Sequence, residues 1–239
     1  MYRLRSILFI AVHVILGLGI IIAANAIKMP AWLHESLVIA LAFLLLNIAY
    51  DQAFRLNAVR EYWALGKLPY IIPAVVAGLL IMILPALLAL ATGMLKPGRV
   101  QVDTSTSVNA IVITLVIVGW EELWFRGIFL NYCEGHLSPP ALSVIMGVLF
   151  VLVHVLNPEI DLLKKGPALF GAGALLTVLY LYYRSIWVPV GIHFGNNYFS
   201  RMIKTPLDNH PFFGGDGYCS AIILLLLFLL FVRKTKISP

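Results

Sequence analysis

The sequence predicts an all-α, polytopic membrane protein, with about eight transmembrane helices in one bundle around a polar intramembrane cavity. Of its 239 residues, 61% are hydrophobic and only 12% are charged, whereas a soluble globular domain carries about 25% charged residues. Apolar stretches also recur at the length of about 20 residues that a helix needs to cross a bilayer. This composition excludes a water-soluble domain, a disordered chain and a nucleic-acid-binding module.

Eight apolar segments are the candidate membrane spans. They are 7–27, 33–54, 70–94, 108–130, 139–157, 167–183, 186–203 and 218–232. Because the connectors between them are short, we expect a single transmembrane domain over 1–239, with its motif-bearing core at about 108–203. The first segment is longer than the apolar stretch of a cleaved signal sequence, so we expect it to be a retained helix.

Three residues inside these segments are expected to kink or thin their helices, namely Pro85, Gly171 and Gly173. Neighbouring helices in a bundle can tolerate such positions. The two cysteines, Cys133 and Cys219, are too few for a disulfide framework and do not form a CxxC pair.

The positive charges predict the orientation of the chain. The 17 Lys and Arg residues exceed the 11 Asp and Glu residues, and most lie between or beside apolar runs, as membrane-flanking charges do. With the N-terminus inside, ten of the 17 cations fall on the inner side. Both termini are therefore expected in the cytoplasm. The compact length leads us to expect an integral multi-pass protein of the bacterial inner membrane.

Ionisable or strongly polar residues inside the spans are the functional candidates, because burying them in a bilayer costs several kcal/mol. They are His13, Asp51, Glu121, Glu122, Arg126, His154, His193 and Asn197. A lone histidine in a span is more often a packing residue, and a lone asparagine is often interhelical glue. Several such residues at matched spacings favour catalysis instead.

The densest group is Glu121-Glu122-x-x-x-Arg126 in the fourth span. Residues four apart share one helix face, so Glu122 and Arg126 are predicted to form an ion pair within their own helix. Glu121 lies about 100° round the helix from Glu122 and has no obvious partner. The spacing thus separates a structural carboxylate from a reactive one.

The same four-residue spacing recurs in Phe150-x-x-x-His154 and in His193-x-x-x-Asn197. If the three helices meet, Glu121 and His154 can share and activate a water molecule. His193 and Asn197 would line the opposite wall and donate hydrogen bonds to a developing oxyanion. These groups suffice to hydrolyse a peptide bond inside a membrane.

In order and spacing, the three motifs resemble the signature of the CAAX protease and bacteriocin-processing family (CPBP, or Abi), over roughly residues 115–200. This family includes the CAAX prenyl endopeptidases. The resemblance implies an intramembrane glutamate protease that uses neither metal nor cofactor. It assigns water activation to Glu121 and His154, the oxyanion hole to His193 and Asn197, and support of the site to Glu122, Arg126 and Phe150.

The expected partners are a membrane-anchored peptide or protein substrate and the lipid bilayer, with no nucleic acid. The substrate is a prenylated CAAX tail, a bacteriocin-like precursor or a C-terminal membrane anchor, and the sequence does not choose among them. It does not fix the oligomeric state either.

Five other kinds of protein share parts of this pattern. A zinc protease of the site-two type would show H-E-x-x-H, and a rhomboid-like protease G-x-S-G; the sequence contains neither. A presenilin-type aspartate pair would need G-x-G-D, but Phe213 stands at the first glycine before Asp216. The sequence is also compatible with a transporter that relays protons through buried acidic and histidine side chains. It is equally compatible with a non-catalytic immunity or scaffold protein of the same family, which is the main alternative to an enzyme.

Overall fold

The computed structural model describes residues 65–235, apart from 97, 104–106, 135–136, 156 and 158–159, together with scattered positions between 12 and 52. The predicted spans 7–27 and 33–54 therefore lie largely outside the described residues. His13 and Asp51 lie outside them as well.

The described chain is mainly helical, and its helices are numbered from the first that is described from end to end. In chain order the elements are a 3₁₀ helix Leu65–Tyr70, α1 Ile71–Ala91, β1 Gln101–Val102, α2 Ser107–Glu122, a π-helix Leu123–Phe129, α3 Leu130–Cys133, α4 Pro139–His154, α5 Leu162–Tyr183, α6 Trp187–Met202, β2 Ile203–Lys204 and α7 Tyr218–Val232. The two short strands pair antiparallel, with Gln101 opposite Lys204.

Two of these helical segments are long and apolar enough to cross a membrane, Leu65–Ala91 and Leu162–Tyr183. The apolar helices α4 and α7 are shorter, with 16 and 15 residues, where a straight span needs about 20. The all-helical class is therefore confirmed, whereas the bundle of eight spans is not. The two long apolar helices are consistent with a membrane protein.

Helix α5 lies at the centre of the described bundle, with α4 and α7 packed against it. It begins at Leu162, five residues before the predicted span 167–183, because the Asp161 side chain accepts hydrogen bonds from the amides of Leu163 and Lys164 at 3.1 and 3.3 Å. An acidic N-cap of this kind satisfies free amides in the first helical turn.

Gly171 and Gly173 act as points of close approach in α5, which runs unbroken through both. A Cβ atom at Gly173 would lie 2.7 Å from the Cβ of Phe150 on α4, and one at Gly171 would lie 2.9 Å from the Cβ of Leu224 on α7. The missing side chains therefore allow both neighbouring helices to reach α5. Helix α1 likewise continues through Pro85, which is buried.

Small residues also bring α6 against α1. Gly191 and Gly195 are four residues apart on α6, and Ala74 and Gly78 have the same spacing on α1. A Cβ atom at Gly191 would lie 2.6 Å from the Cβ of Ala74. Such small-xxx-small pairs let helix backbones approach closely in membrane proteins. This contact fixes the helix that carries His193.

The predicted span 108–130 is not a single α-helix. The α-helical part ends at Glu122, and the π-helix Leu123–Phe129 follows, in which the amide of Leu130 donates to the carbonyl of Phe125. All seven residues of the π-helix are buried. The period of the sequence does not predict this wider turn, because tertiary packing around buried aromatic rings and Arg126 sets it. Short π-helical segments occur often at functional sites.

Candidate active site

Glu121 and Glu122 are the last two residues of α2, and both are buried, with 8% and 0% of their surface exposed. Arg126 follows in the π-helix and is also fully buried. Its Nη1 atom lies 3.0 Å from both carboxylate oxygens of Glu122 and donates to Oε1. The ion pair that the sequence predicts between Glu122 and Arg126 is confirmed.

Arg126 also joins the π-helix to α5. Its Nη2 atom donates to the carbonyl of Gly173 at 2.8 Å, and the hydroxyl of Thr177 donates to the same oxygen at 2.8 Å. The guanidinium carbon lies 5.4 Å from the ring centre of Phe125 and 5.7 Å from that of Phe150, within the range of a cation–π contact. Arg126 is thus held from several sides without reaching solvent.

The sequence pattern does not predict Gly173 and Thr177 as parts of this network. Residue types in a sequence do not reveal which main-chain carbonyl will accept a hydrogen bond. The one relevant sequence feature is a glycine in the middle of an apolar helix. Thr177 lies four residues after Gly173 on α5. Its hydroxyl makes the bond to the i−4 carbonyl that threonine often makes inside helices.

His193 on α6 lies between the two carboxylates. Its Nδ1 atom is 2.8 Å from Oε1 of Glu122, and its Nε2 atom is 3.6 Å from Oε2 of Glu121. An ionised carboxylate can only accept, so Nδ1 carries the hydrogen in the contact with Glu122. His193 therefore lies next to Glu121 as well as Glu122. Helix α6 packs against α2 and places the ring directly beside both glutamates.

His154 is the last residue of α4. Its Nδ1 atom lies 2.6 Å from the carbonyl oxygen of Phe150 and donates to it, since a carbonyl only accepts. In the neutral ring, Nε2 is therefore the nitrogen with the free lone pair. The Phe150 ring contacts both imidazoles, with ring centres 4.9 Å from His154 and 5.8 Å from His193. Phe150 thereby positions the two histidines relative to each other.

These side chains line one cavity of about 310 Å³. Its walls include Glu121, Phe150, His154, His193 and Asn197. Glu122 and Arg126 are not part of its lining and lie fully buried. Within the described part of the chain, the buried Oε2 atom of Glu121 has no hydrogen-bond partner. The structure thus brings all four expected catalytic residues to a common space that holds one unsatisfied carboxylate oxygen.

The cavity continues into a polar region that the sequence analysis did not identify. Asn196, Ser200 and Arg201 line it from α6, and Lys165 and Asp216 line it from α5 and the loop before α7. The Lys165 and Asp216 side chains lie 3.5 Å apart as a partly exposed ion pair. Asp216, considered above as half of an aspartate pair, is thus engaged by a lysine. The continued four-residue spacing after Asn197 is the signal that points to Arg201.

No group of three or more His, Cys, Asp or Glu side chains among the described residues is arranged to hold a metal ion. In the buried cluster, Arg126 and His193 both pair with Glu122.

Comparison with known proteins gives one family match. Residues 103–199 match the family described as Type II CAAX prenyl endopeptidase Rce1-like. The matched segment contains all three motifs, and it confirms the resemblance to the CAAX protease and bacteriocin-processing family. Neither the curated proteins nor the solved structures contain a match to the chain.

Proposed function

We propose that this chain, whose residues 103–199 match the type II CAAX prenyl endopeptidase Rce1-like family, is an intramembrane glutamate protease. It cleaves a peptide bond near the membrane-held end of a peptide or protein substrate. The observation that carries this proposal is the buried, unsatisfied Oε2 atom of Glu121 in a cavity shared with His154, His193 and Asn197.

The division between the two glutamates supports their different roles. Glu122 accepts from Arg126 and His193, so its charge is already compensated. Glu121 lines the cavity and makes no hydrogen bond to the described residues, with Nε2 of His193 3.6 Å from its Oε2, so it is the carboxylate that can accept a proton from water. His154 offers a second acceptor, because its Nδ1 hydrogen is committed to the Phe150 carbonyl. A carboxylate and an imidazole within reach of one water are a suitable general-base pair.

Charge balance favours a protonated His193 in the working site. The buried cluster contains two carboxylates and the Arg126 guanidinium, so one more positive charge makes it neutral. Protonated His193 would donate from Nδ1 to Glu122 and keep a hydrogen on Nε2. That hydrogen and the Asn197 amide are the proposed donors to the oxyanion, and such donors are most effective when they are held in place before the reaction.

The reaction then follows without a covalent enzyme intermediate. Water attacks the scissile carbonyl carbon and gives a proton to Glu121 or His154, and the negative charge moves to the carbonyl oxygen. When the tetrahedral intermediate collapses, the C–N bond breaks and the amine nitrogen takes the proton from the same base. The first products are a carboxylic acid and an amine, and the acid passes its proton to the amine to leave a carboxylate and an ammonium group, so the enzyme returns to its initial protonation state.

A second cavity supports a membrane-held substrate. It has a volume of about 740 Å³ and lies between α1, α5, α6 and α7, with an almost entirely apolar lining. Ile81, Leu175 and Ile192 line both this cavity and the polar one. We propose that the apolar anchor of the substrate lies here while the scissile bond enters the polar cavity.

The test uses the full-length chain in phospholipid vesicles with a synthetic S-farnesylated peptide that ends in cysteine, two aliphatic residues and methionine. Mass spectrometry should detect cleavage, and the rate should survive prolonged treatment with a strong chelator. Loss of activity on chelation and recovery with zinc would assign the protein to the metalloproteases. A folded protein that cleaves neither this peptide nor other anchored peptides would favour the non-catalytic immunity or scaffold alternative.

A further inference from the structure

Arg201 extends the line of functional side chains on α6. His193, Asn197 and Arg201 follow one another at intervals of four residues, and all three line the polar cavity. Because residues four apart share a helix face, the three side chains form one row. His193 is buried at one end of this row, while Arg201 is exposed at the other.

The guanidinium of Arg201 makes no charged contact with another described residue. Within the described ranges, no hydrogen-bond or ion-pair partner is found for its guanidinium, whereas the other cation of the lining, Lys165, is paired with Asp216. An arginine guanidinium binds a carboxylate through two parallel hydrogen bonds. An unpaired guanidinium in the wall of a peptide-binding cavity is therefore suited to an anionic group of the substrate.

The spacing indicates which anionic group this is. At a rise of about 1.5 Å per residue, Arg201 lies about 6 Å beyond Asn197 and about 12 Å beyond His193 along the helix axis. An extended peptide advances about 3.3 Å per residue, so this distance corresponds to about two to four residues. A CAAX tail has three residues after its cysteine, and the last of them carries the free carboxylate.

We propose that Arg201 binds the C-terminal carboxylate of the substrate, so that the enzyme selects chains that end about three residues beyond the scissile bond. This inference rests on the proposed function and adds to it a group that measures substrate length. Arg201 is thus a substrate-binding residue and takes no part in moving protons.

Two peptides and three variants test the assignment. The peptides are the S-farnesylated substrate with a free C-terminal carboxylate and the same peptide with a C-terminal carboxamide. The variants are Arg201→Gln, Arg201→Lys and the control Lys204→Gln. Lys204 is a nearby cation whose Nζ atom donates to the Ser200 carbonyl at 3.1 Å, and it is not part of the cavity lining.

Below, the acid is the peptide with the free C-terminal carboxylate, and the amide is the peptide with the C-terminal carboxamide. We expect the wild type to cleave the acid with a kcat/KM about tenfold or more above its kcat/KM for the amide, because the amide lacks the charge-assisted bond to Arg201. Arg201→Gln should lower kcat/KM for the acid to the value for the amide, mainly by raising KM, and should leave the amide unaffected. Arg201→Lys should retain part of the preference for the acid, because lysine keeps the positive charge but cannot make the two parallel hydrogen bonds of a guanidinium. Lys204→Gln should behave as wild type.

Equal cleavage of acid and amide by the wild type would overturn the inference and leave the proposed protease intact. An acid preference that persists in Arg201→Gln would do the same. Binding of both peptides to Glu121→Gln, with and without Arg201→Gln, separates the two proposals. If binding prefers the acid through Arg201 although the wild type cleaves nothing, the carboxylate site stands and the proteolytic function fails. If neither peptide binds, both are wrong.

Discussion

The Nδ1 atom of His193 lies 2.8 Å from Oε1 of Glu122, a residue 71 positions earlier in the chain. The same carboxylate also accepts from Arg126. One buried glutamate therefore holds a cation from its own helix segment and an imidazole from a distant helix. By this geometry Glu122 holds Arg126 and His193 in place, whereas the proposed general base is the neighbouring Glu121.

Glu121→Gln should abolish peptide cleavage while the protein stays folded. The amide cannot take a proton from water, and loss of a general base costs about 100-fold or more in rate. Cleavage rate and thermal unfolding in detergent measure the two effects. The control is Asp216→Asn, which removes another carboxylate of the same cavity that is partly exposed and paired with Lys165. Equal loss of activity in both variants would contradict the special role of Glu121.

Glu122→Gln should lower stability, because it removes the carboxylate that pairs with the fully buried Arg126 and accepts from the buried His193. Breaking a buried ion pair from one side costs about 3–5 kcal/mol. Chemical unfolding would measure the loss. Glu134→Gln is the matched control, since it breaks an ion pair with Arg184 that is largely exposed and worth at most about 1 kcal/mol. If the two variants were equally stable, the buried cluster would not be a structural element.

Asn197→Ala should lower kcat by about 100-fold with a smaller change in KM, as expected for the loss of one oxyanion donor. Asn196→Ala offers the comparison, because this neighbour has the same side chain and also lines the cavity. It should keep most of the wild-type kcat. Steady-state kinetics on the farnesylated peptide would distinguish the two. An equal drop in both variants would mean that Asn197 contributes only to the shape of the cavity.

Gly173→Ala should destabilise the protein and reduce activity, although Gly173 itself does not line the cavity. The added Cβ would lie 2.7 Å from the Cβ of Phe150 and 2.9 Å from the Cα of Gly147, so α4 and α5 must separate. Overpacking of this kind costs about 1–3 kcal/mol. Gly166→Ala on the same helix is the control, because its Cβ would meet no atom within 4 Å. A thermal shift confined to Gly173→Ala would confirm the close contact.

The sequence predicted those features of the site that depend on local geometry. Helical spacing was enough to pair Glu122 with Arg126 and to set Glu121 apart from them. The same spacing indicated that His154 and His193 belong to functional helix faces. Bounds such as those of α7, Tyr218–Val232, coincide with the predicted span because an apolar run between polar flanks defines them.

Features that depend on packing between helices could not be predicted in this way. His193 contacts both glutamates because small residues let α6 pack closely against its neighbours. The spacing of residues along the sequence does not predict this distance between helices. The carbonyl of Gly173 and the N-cap at Asp161 are further contacts without a periodic signal. The number of spans is also not confirmed for the described region, because α4 and α7 have 16 and 15 residues where a straight span needs about 20.

The π-helix Leu123–Phe129 has a consequence for how this gene tolerates changes in length. Loss of one codon from an α-helix turns everything after it by about 100° and leaves the helix out of register with its neighbours. In a π-helix each backbone hydrogen bond spans five residues, whereas in an α-helix it spans four. Removing one residue from the π-helical stretch therefore restores regular α-helical geometry. This stretch is therefore where a single-codon deletion can leave a continuous helix, at the expense of the bond between Glu122 and Arg126.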